Sequence, residues 1–144
     1  MTGFLYHLIF LRASGCRDRP CRVQMFYQRM QNIPVRTSQK FAQKMRADGY
    51  LFDFTVDSLR TEIDAVIHTA IFHHGRDGSP SLEQEMNEIG LSAYVGETLA
   101  SNYSGTWSGE FSETSSIENY YRSSIIFGKF RHNPIAYVSY RLTN

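Results

Sequence analysis

Ala93-Tyr94-Val95-Gly96-Glu97-Thr98-Leu99-Ala100-Ser101-Asn102-Tyr103-Ser104-Gly105-Thr106-Trp107 is the stretch on which the fold turns. At 3.6 residues per turn, Ala93, Gly96 and Ala100 share one helix face, and that face is small. Small residues let another part of the chain come close, which offsets the roughly 1 kcal/mol that a glycine costs inside a helix. Gly105 then reads as a helix stop. Beyond it Trp107, Gly109 and Phe111 alternate with Ser108 and Glu110, the period of a strand with one buried face. The stretch therefore predicts a helix narrowed on one side so that the Trp107 strand can fold back against it. Glu97 stands at the edge of the narrowed face. It is expected to accept hydrogen bonds there from backbone or tyrosine groups of the following strands, a packing role rather than a catalytic one.

Upstream, Ser81-Leu82-Glu83-Gln84 is a capping-box pattern that opens this helix, with Glu83 and Glu85 near its positive end. Its buried face is predicted to run Leu82, Met86, Ile89, Ala93, Gly96, Ala100. Before the polar loop His73 to Pro80, Thr55 caps another helix. Asp57 lies in its first turn, and Leu59, Ile63, Val66, Ile67 and Ala70 form one apolar stripe. Phe54 and Leu59 have hydrophobic-staple spacing, and the helix is expected to end near Phe72. Further back, Asn32-Ile33-Pro34 should interrupt any helix. A short helix capped by Thr37 or Ser38 then runs to Gly49, and Tyr50 to Phe54 is extended.

Downstream, Glu113 to Ser116 reads as a turn and Tyr121 to Phe127 as a strand, with Gly128-Lys129 opening a hairpin. Asn133-Pro134 is an N-cap and first-turn pair for a terminal helix through Ile135, Val138 and Leu142, with a third strand as the competing reading of 135–141. The expected fold class is α+β: three helices followed by a small antiparallel sheet and a C-terminal helix. Domain organisation is expected to be an extension over 1–24, outside the core and dispensable for folding, and a single α+β domain over 25–144. Within the extension, Phe4 to Leu11 and the Ala-Ser-Gly-Cys ending at Cys16 make a poor match to a lipoprotein leader, because Arg12 stands where small residues belong.

At 144 residues the chain is long enough to bury a core without covalent staples, and two cysteines cannot make a disulfide framework. A reducing compartment, the cytoplasm, is the expectation. No apolar run approaches the roughly 18 to 20 residues needed to span a bilayer, so no membrane is expected as a partner. Charge is uneven. Arg12, Arg17, Arg19 and Arg22 precede Met25 against Asp18 alone, whereas Asp77 to Tyr121 holds eight acids and no lysine or arginine. That acidic run argues against a nucleic-acid partner.

Catalytic frames are missing from the sequence: there is no Gly-x-Ser-x-Gly elbow, phosphate-binding loop or dinucleotide glycine pattern. His68, His73 and His74 are spaced five and six apart and by one, not the four that places two ligands on one helix face, so neither a metal nor another cofactor is expected.

Asp53-Phe54-Thr55-Val56-Asp57-Ser58-Leu59, Ala93-Tyr94-Val95-Gly96-Glu97-Thr98, Gly105-Thr106-Trp107 and Asn133-Pro134 follow one another in that order. Over residues 45–144 this order resembles a family of small, functionally uncharacterised bacterial proteins with a Tyr-x-Gly-Glu helix followed by a Gly-x-Trp strand. Some are similar in style to immunity proteins encoded beside toxins. The resemblance implies a non-enzymatic protein-binding domain that neutralises a toxin such as a nuclease. The alternative is a small enzyme using Glu97 as acid or base. Since nucleases carry basic clefts, the contact surface is expected to draw on Glu110, Glu113, Glu118, Tyr120 and Tyr121.

Overall fold

A computed structural model describes the backbone of residues 19–72, 81–112, 114 and 116–144, with side chains from Ile33 onward and that of residue 70 excepted. Residues 1–18 of the extension predicted over 1–24, His73, His74 and Glu113 lie outside the described residues, as do the side chains of Arg19 to Gln24. The chain divides into two units, 1–30 and 31–144. Of the first, only helical backbone from Arg19 is described.

The architecture is α+β, as the sequence predicts. Helix α1 spans Arg19–Ala47, α2 Val56–Ile67, and a 3-10 turn covers Ala70–Phe72. Helix α3 spans Leu82–Tyr103 and strand β1 Thr106–Ser108. A short helix α4 (Ile117–Tyr121) precedes strands β2 (Ser124–Phe127) and β3 (Phe130–His132), and α5 (Pro134–Thr143) ends the chain. The three strands form one antiparallel sheet in sequence order, with Trp107 opposite Ile125 and Ile125 opposite His132.

Local chemistry accounts for most boundaries. Thr55 Oγ1 accepts from the Ser58 N–H at 3.2 Å and starts α2. Ser81 and Gln84 close a reciprocal box at the start of α3, Ser81 N–H donating to Gln84 Oε1 at 2.8 Å and Gln84 N–H to Ser81 Oγ at 3.2 Å. Asn133 Oδ1 takes the Ala136 N–H at 3.2 Å with Pro134 in the first turn, so residues 135–141 are helix and not a strand. At the end of α1, Gly49 takes a positive φ of 91° and lets Tyr50 N–H return to Met45 O at 3.1 Å.

Four expectations are corrected. No break occurs at Asn32-Ile33-Pro34: α1 runs through it with Pro34 inside. Ile33 and Pro34 are buried, and Thr37 and Ser38, instead of capping, turn their hydroxyls back onto Ile33 O at 2.8 Å and Val35 O at 2.6 Å. Pro34 has no N–H to offer the carbonyl of residue 30, so the helix forgoes that one bond. Secondly, α2 stops at Ile67, with 70–72 wound as a 3-10 turn. Thirdly, α3 is left-handed at Ser104 (φ 56°), one residue before Gly105, and its first turns are not buried. Leu82 is 75% exposed and Met86 63%. Finally, β1 ends at Ser108, and 117–121 is helical. Asn119 Oδ1 accepts the Ser116 N–H at 3.0 Å and helps start α4, which follows the turn expected over Glu113 to Ser116 and takes in Tyr121, where a strand was expected to begin.

Helix α3 lies between two apolar clusters. One gathers Phe41, Phe52, Ile63, Val66, Tyr94 and Val138, and the other Ile33, Trp107, Phe111, Tyr120, Ile125 and Ile135. Residues 90–96 of α3 are buried all round, so this helix is covered on every side at mid-length and not along one stripe. On the first side Tyr94 anchors an unusual residue. Phe54 has φ 60°, a conformation that costs a bulky side chain about 1–2 kcal/mol. Its N–H donates to Tyr94 Oη at 3.1 Å and its carbonyl accepts from Asn102 Nδ2 at 2.9 Å. Since Ser58 Oγ gives its proton to Thr55 O, the Tyr94 hydroxyl donates to Ser58 Oγ at 2.6 Å and is fully used.

Candidate functional site

Glu97 is bound by the residue that the opening stretch brings back to it. Trp107 Nε1 donates to Glu97 Oε2 at 3.0 Å. The small face makes this possible: a Cβ on Gly96 would overlap the outer edge of the Trp107 indole and lie 2.9 Å from Pro134 Cγ. What comes close is thus a ring packed onto α3, not a backbone. The donor is the indole, whereas backbone or tyrosine groups were expected. Burial pushes the Glu97 carboxyl above its ordinary value of 4.5, and the Trp107 N–H pulls weakly the other way. A shallow cleft of about 230 Å³ opens beside the pair, lined also by Val35, Ser101 and Thr106. Ser101 Oγ is spent on Glu97 O at 2.8 Å.

The pair gives a test with its sign fixed in advance. A group whose folded pKa is raised contributes more stability as pH falls through that pKa toward 4.5, because the folded state takes the proton first. His132 works against it. Burial lowers its pKa below 6.5, and its Nε2 is buried without a hydrogen-bond partner. Stability from His132 is therefore lost as pH falls below 6.5 toward its lowered value. Glu97→Gln keeps an acceptor for Trp107 and deletes only the charge. The variant should be at least as stable as the parent in urea at pH 7.5, and its advantage should shrink as pH approaches 4.5. A loss above about 1 kcal/mol at pH 7.5 would show that the charged hydrogen bond outweighs burial.

Of the five residues expected at a contact surface, three are exposed. Glu110, Glu118 and Tyr121 are exposed, and Asn119 of α4 donates from Nδ2 to Glu110 O at 3.2 Å, tying the two segments together. Glu113 lies outside the described residues. Tyr120 is corrected: it is 2% exposed, packed edge-on against Phe111 with ring centres 5.2 Å apart, and adds no area to this exposed surface. On so short a helix successive side chains point different ways, so one of two adjacent tyrosines faces the core and the other solvent.

Tyr121 is held from behind. Ser139 Oγ donates to Glu88 Oε1 at 2.7 Å, so the Tyr121 hydroxyl, 2.7 Å from Ser139 Oγ, is the donor in that pair. In the sequence Glu88 is one of the eight acids between Asp77 and Tyr121, and nothing there singles out Ser139. Their connection across 51 residues has no local signature.

Among the described residues no three His, Cys, Asp or Glu side chains come together as metal ligands, and no helix is long and apolar enough to cross a membrane. Comparison with protein-family models, with curated proteins and with solved structures finds no match to this chain.

Proposed function

We propose that the chain is a non-enzymatic bacterial protein-binding domain acting in the cytoplasm, an immunity protein whose partner is a basic toxin domain of the nuclease kind. The observation that carries this reading is the surface of Glu110, Glu118 and Tyr121. Glu110, Glu118 and Tyr121 are exposed, Glu118 lies three residues before Tyr121 on α4, and the Ser139 and Glu88 hydrogen bonds already hold the Tyr121 ring in place. A ring fixed before binding loses little rotamer entropy on contact, and tyrosine gives large contact area for two torsions. Carboxylates at the rim of such a ring steer a basic partner and act mainly on its association rate.

The second reading, acid–base chemistry at Glu97, is favoured by its raised proton affinity and the cleft beside it. Against it, one carboxylate oxygen is committed to Trp107 and the neighbouring serine to backbone. Loss of a measurable turnover in Glu97→Gln at unchanged melting temperature would reinstate it.

The contact surface is tested with the product of the adjoining gene as partner. Charge reversal of Glu110 and Glu118 to Lys should slow association about ten-fold or more at low salt and flatten its salt dependence, with folding intact. Unchanged association kinetics would remove this surface. An adjoining product that neither binds nor carries a toxin domain would remove the immunity reading.

A further inference from the structure

On its other functionally unassigned side, α3 faces α1 across a half-open cleft of about 360 Å³, within the roughly 300–1,000 Å³ of small-molecule sites. We propose that this cleft binds a small organic acid with an apolar body, its carboxylate on Lys44 and Lys40 and its body against Ile33, Phe41 and Ile89. The residues are all from the unit 31–144.

Three observations carry the proposal. First, a cation is positioned and not neutralised. Lys44 Nζ donates to Asn87 Oδ1 at 2.7 Å, and Asn87 is itself 4% exposed. That bond goes to a neutral amide, so two ammonium donors and the full charge stay available at the cleft. Lys40 stands one turn away on the same face of α1, and every charged residue of that helix is basic. Glu83 also lines the cleft, yet among the described residues it forms no ion pair with either lysine.

Second, the cleft has a polar group in want of a partner. Tyr120 lines it, is 2% exposed, and its hydroxyl oxygen is buried without a hydrogen bond. Burial raises its pKa, only partly opposed by the Thr37 hydroxyl, whose proton is given to Ile33 O. Thr37, which also lines the cleft, lies close enough to act on the neutral phenol, yet no hydrogen bond of full geometry joins the two hydroxyls, and a buried donor left so is rare enough to ask what it meets. A ligand acceptor atom that reached the hydroxyl would satisfy it.

Third, Ile33, Phe41, Met86 and Ile89 give the cleft an apolar wall beside its polar groups. The Phe41 ring packs so closely on Gly90 that a Cβ there would stand 2.6 Å from Phe41 Cδ2. Met86 lines the cleft 63% exposed.

The experiment titrates the full chain, labelled with ¹⁵N, with hexanoate, octanoate and decanoate and with the n-alcohols of equal length. Saturable shifts are expected at the amides of Lys44, Asn87 and Tyr120. The carboxylate should bind about five-fold or more tighter than its alcohol, since a charge-assisted hydrogen bond is roughly twice as strong as a neutral one. Lys44→Met, which keeps the apolar stem, should remove that preference and leave the alcohol unchanged. Tyr120→Phe should weaken the acid with no loss of folding. Equal affinity for acid and alcohol, or an unchanged preference in Lys44→Met, would overturn the proposal and make the cleft a seat for an apolar partner side chain. Shifts that do not saturate would overturn it as well. These readings do not involve Glu110 or Glu118, so they stand or fall apart from the partner surface.

Discussion

Gly96→Ala should destabilise the protein by about 2 kcal/mol, and Gly96→Leu by about 3 kcal/mol or more. In an isolated helix the first change would gain close to 1 kcal/mol, because alanine is the better helix former. The sign reverses because the added carbon must enter the space of the Trp107 ring and of Pro134 Cγ, 2.9 Å away. Neither neighbour is a flexible chain end. The indole is pinned through its N–H to Glu97, and the proline ring is buried at the start of α5. Relief therefore requires β1 or α5 to move as a whole. Trp107 is the only tryptophan, so its fluorescence reports the displacement directly. An alanine variant with the parent's urea midpoint and emission maximum would refute the close packing of this ring on α3.

Trp107→Ala should cost more, about 3–5 kcal/mol, the range for deleting a large aromatic from a core. The ring is 5% exposed and meets Phe111 edge-on with centres 5.9 Å apart. Its removal also leaves the half-buried Glu97 carboxylate without its indole donor, and a buried acceptor stripped of its partner carries a separate penalty. The two parts separate experimentally. Trp107→Phe restores much of the apolar contact but not the N–H, and Glu97→Gln on that background removes the stranded charge. The double variant should recover stability over Trp107→Phe alone. If Glu97→Gln gives the same increment in the presence and absence of the indole, the two residues are not coupled.

What was legible in the sequence was written in short-range side-chain chemistry. Thr55, Ser81 and Asn133 mark helix starts because each hydroxyl or amide bonds a backbone N–H three residues on, a relation the sequence displays directly. The hairpin at Gly128 is of the same kind, with φ 57° at the glycine. The misread places depend on distant packing. Pro34 stays inside a helix because its surroundings are buried, and a local rule about proline does not contain that information. Leu82 and Met86 have helical spacing with the buried positions, but spacing says which face a residue is on and not how far along the helix the covering elements reach. Helix α4 is five residues long and rich in Ile and Tyr, so β propensity spoke against it and only the Asn119 cap spoke for it. The site follows the same division. That Glu97 would be held from the following strand was readable; that the indole holds it, and that Ser139 and Glu88 brace Tyr121, required the fold.

Helix α3 touches α2, the 3-10 turn, β1, α4, β2 and α5. An element in the middle of so many others cannot loosen by itself, and few of the others can leave without exposing part of it. The backbone amides of residues 90–98 should consequently exchange with solvent deuterium only through opening of the whole unit. Those of β3 and the last turn of α5, which lie at its margin, should exchange through fraying. A fold organised around one axle in this way has a single cooperative transition available to it, with little room for a half-unfolded form that a protease could recognise.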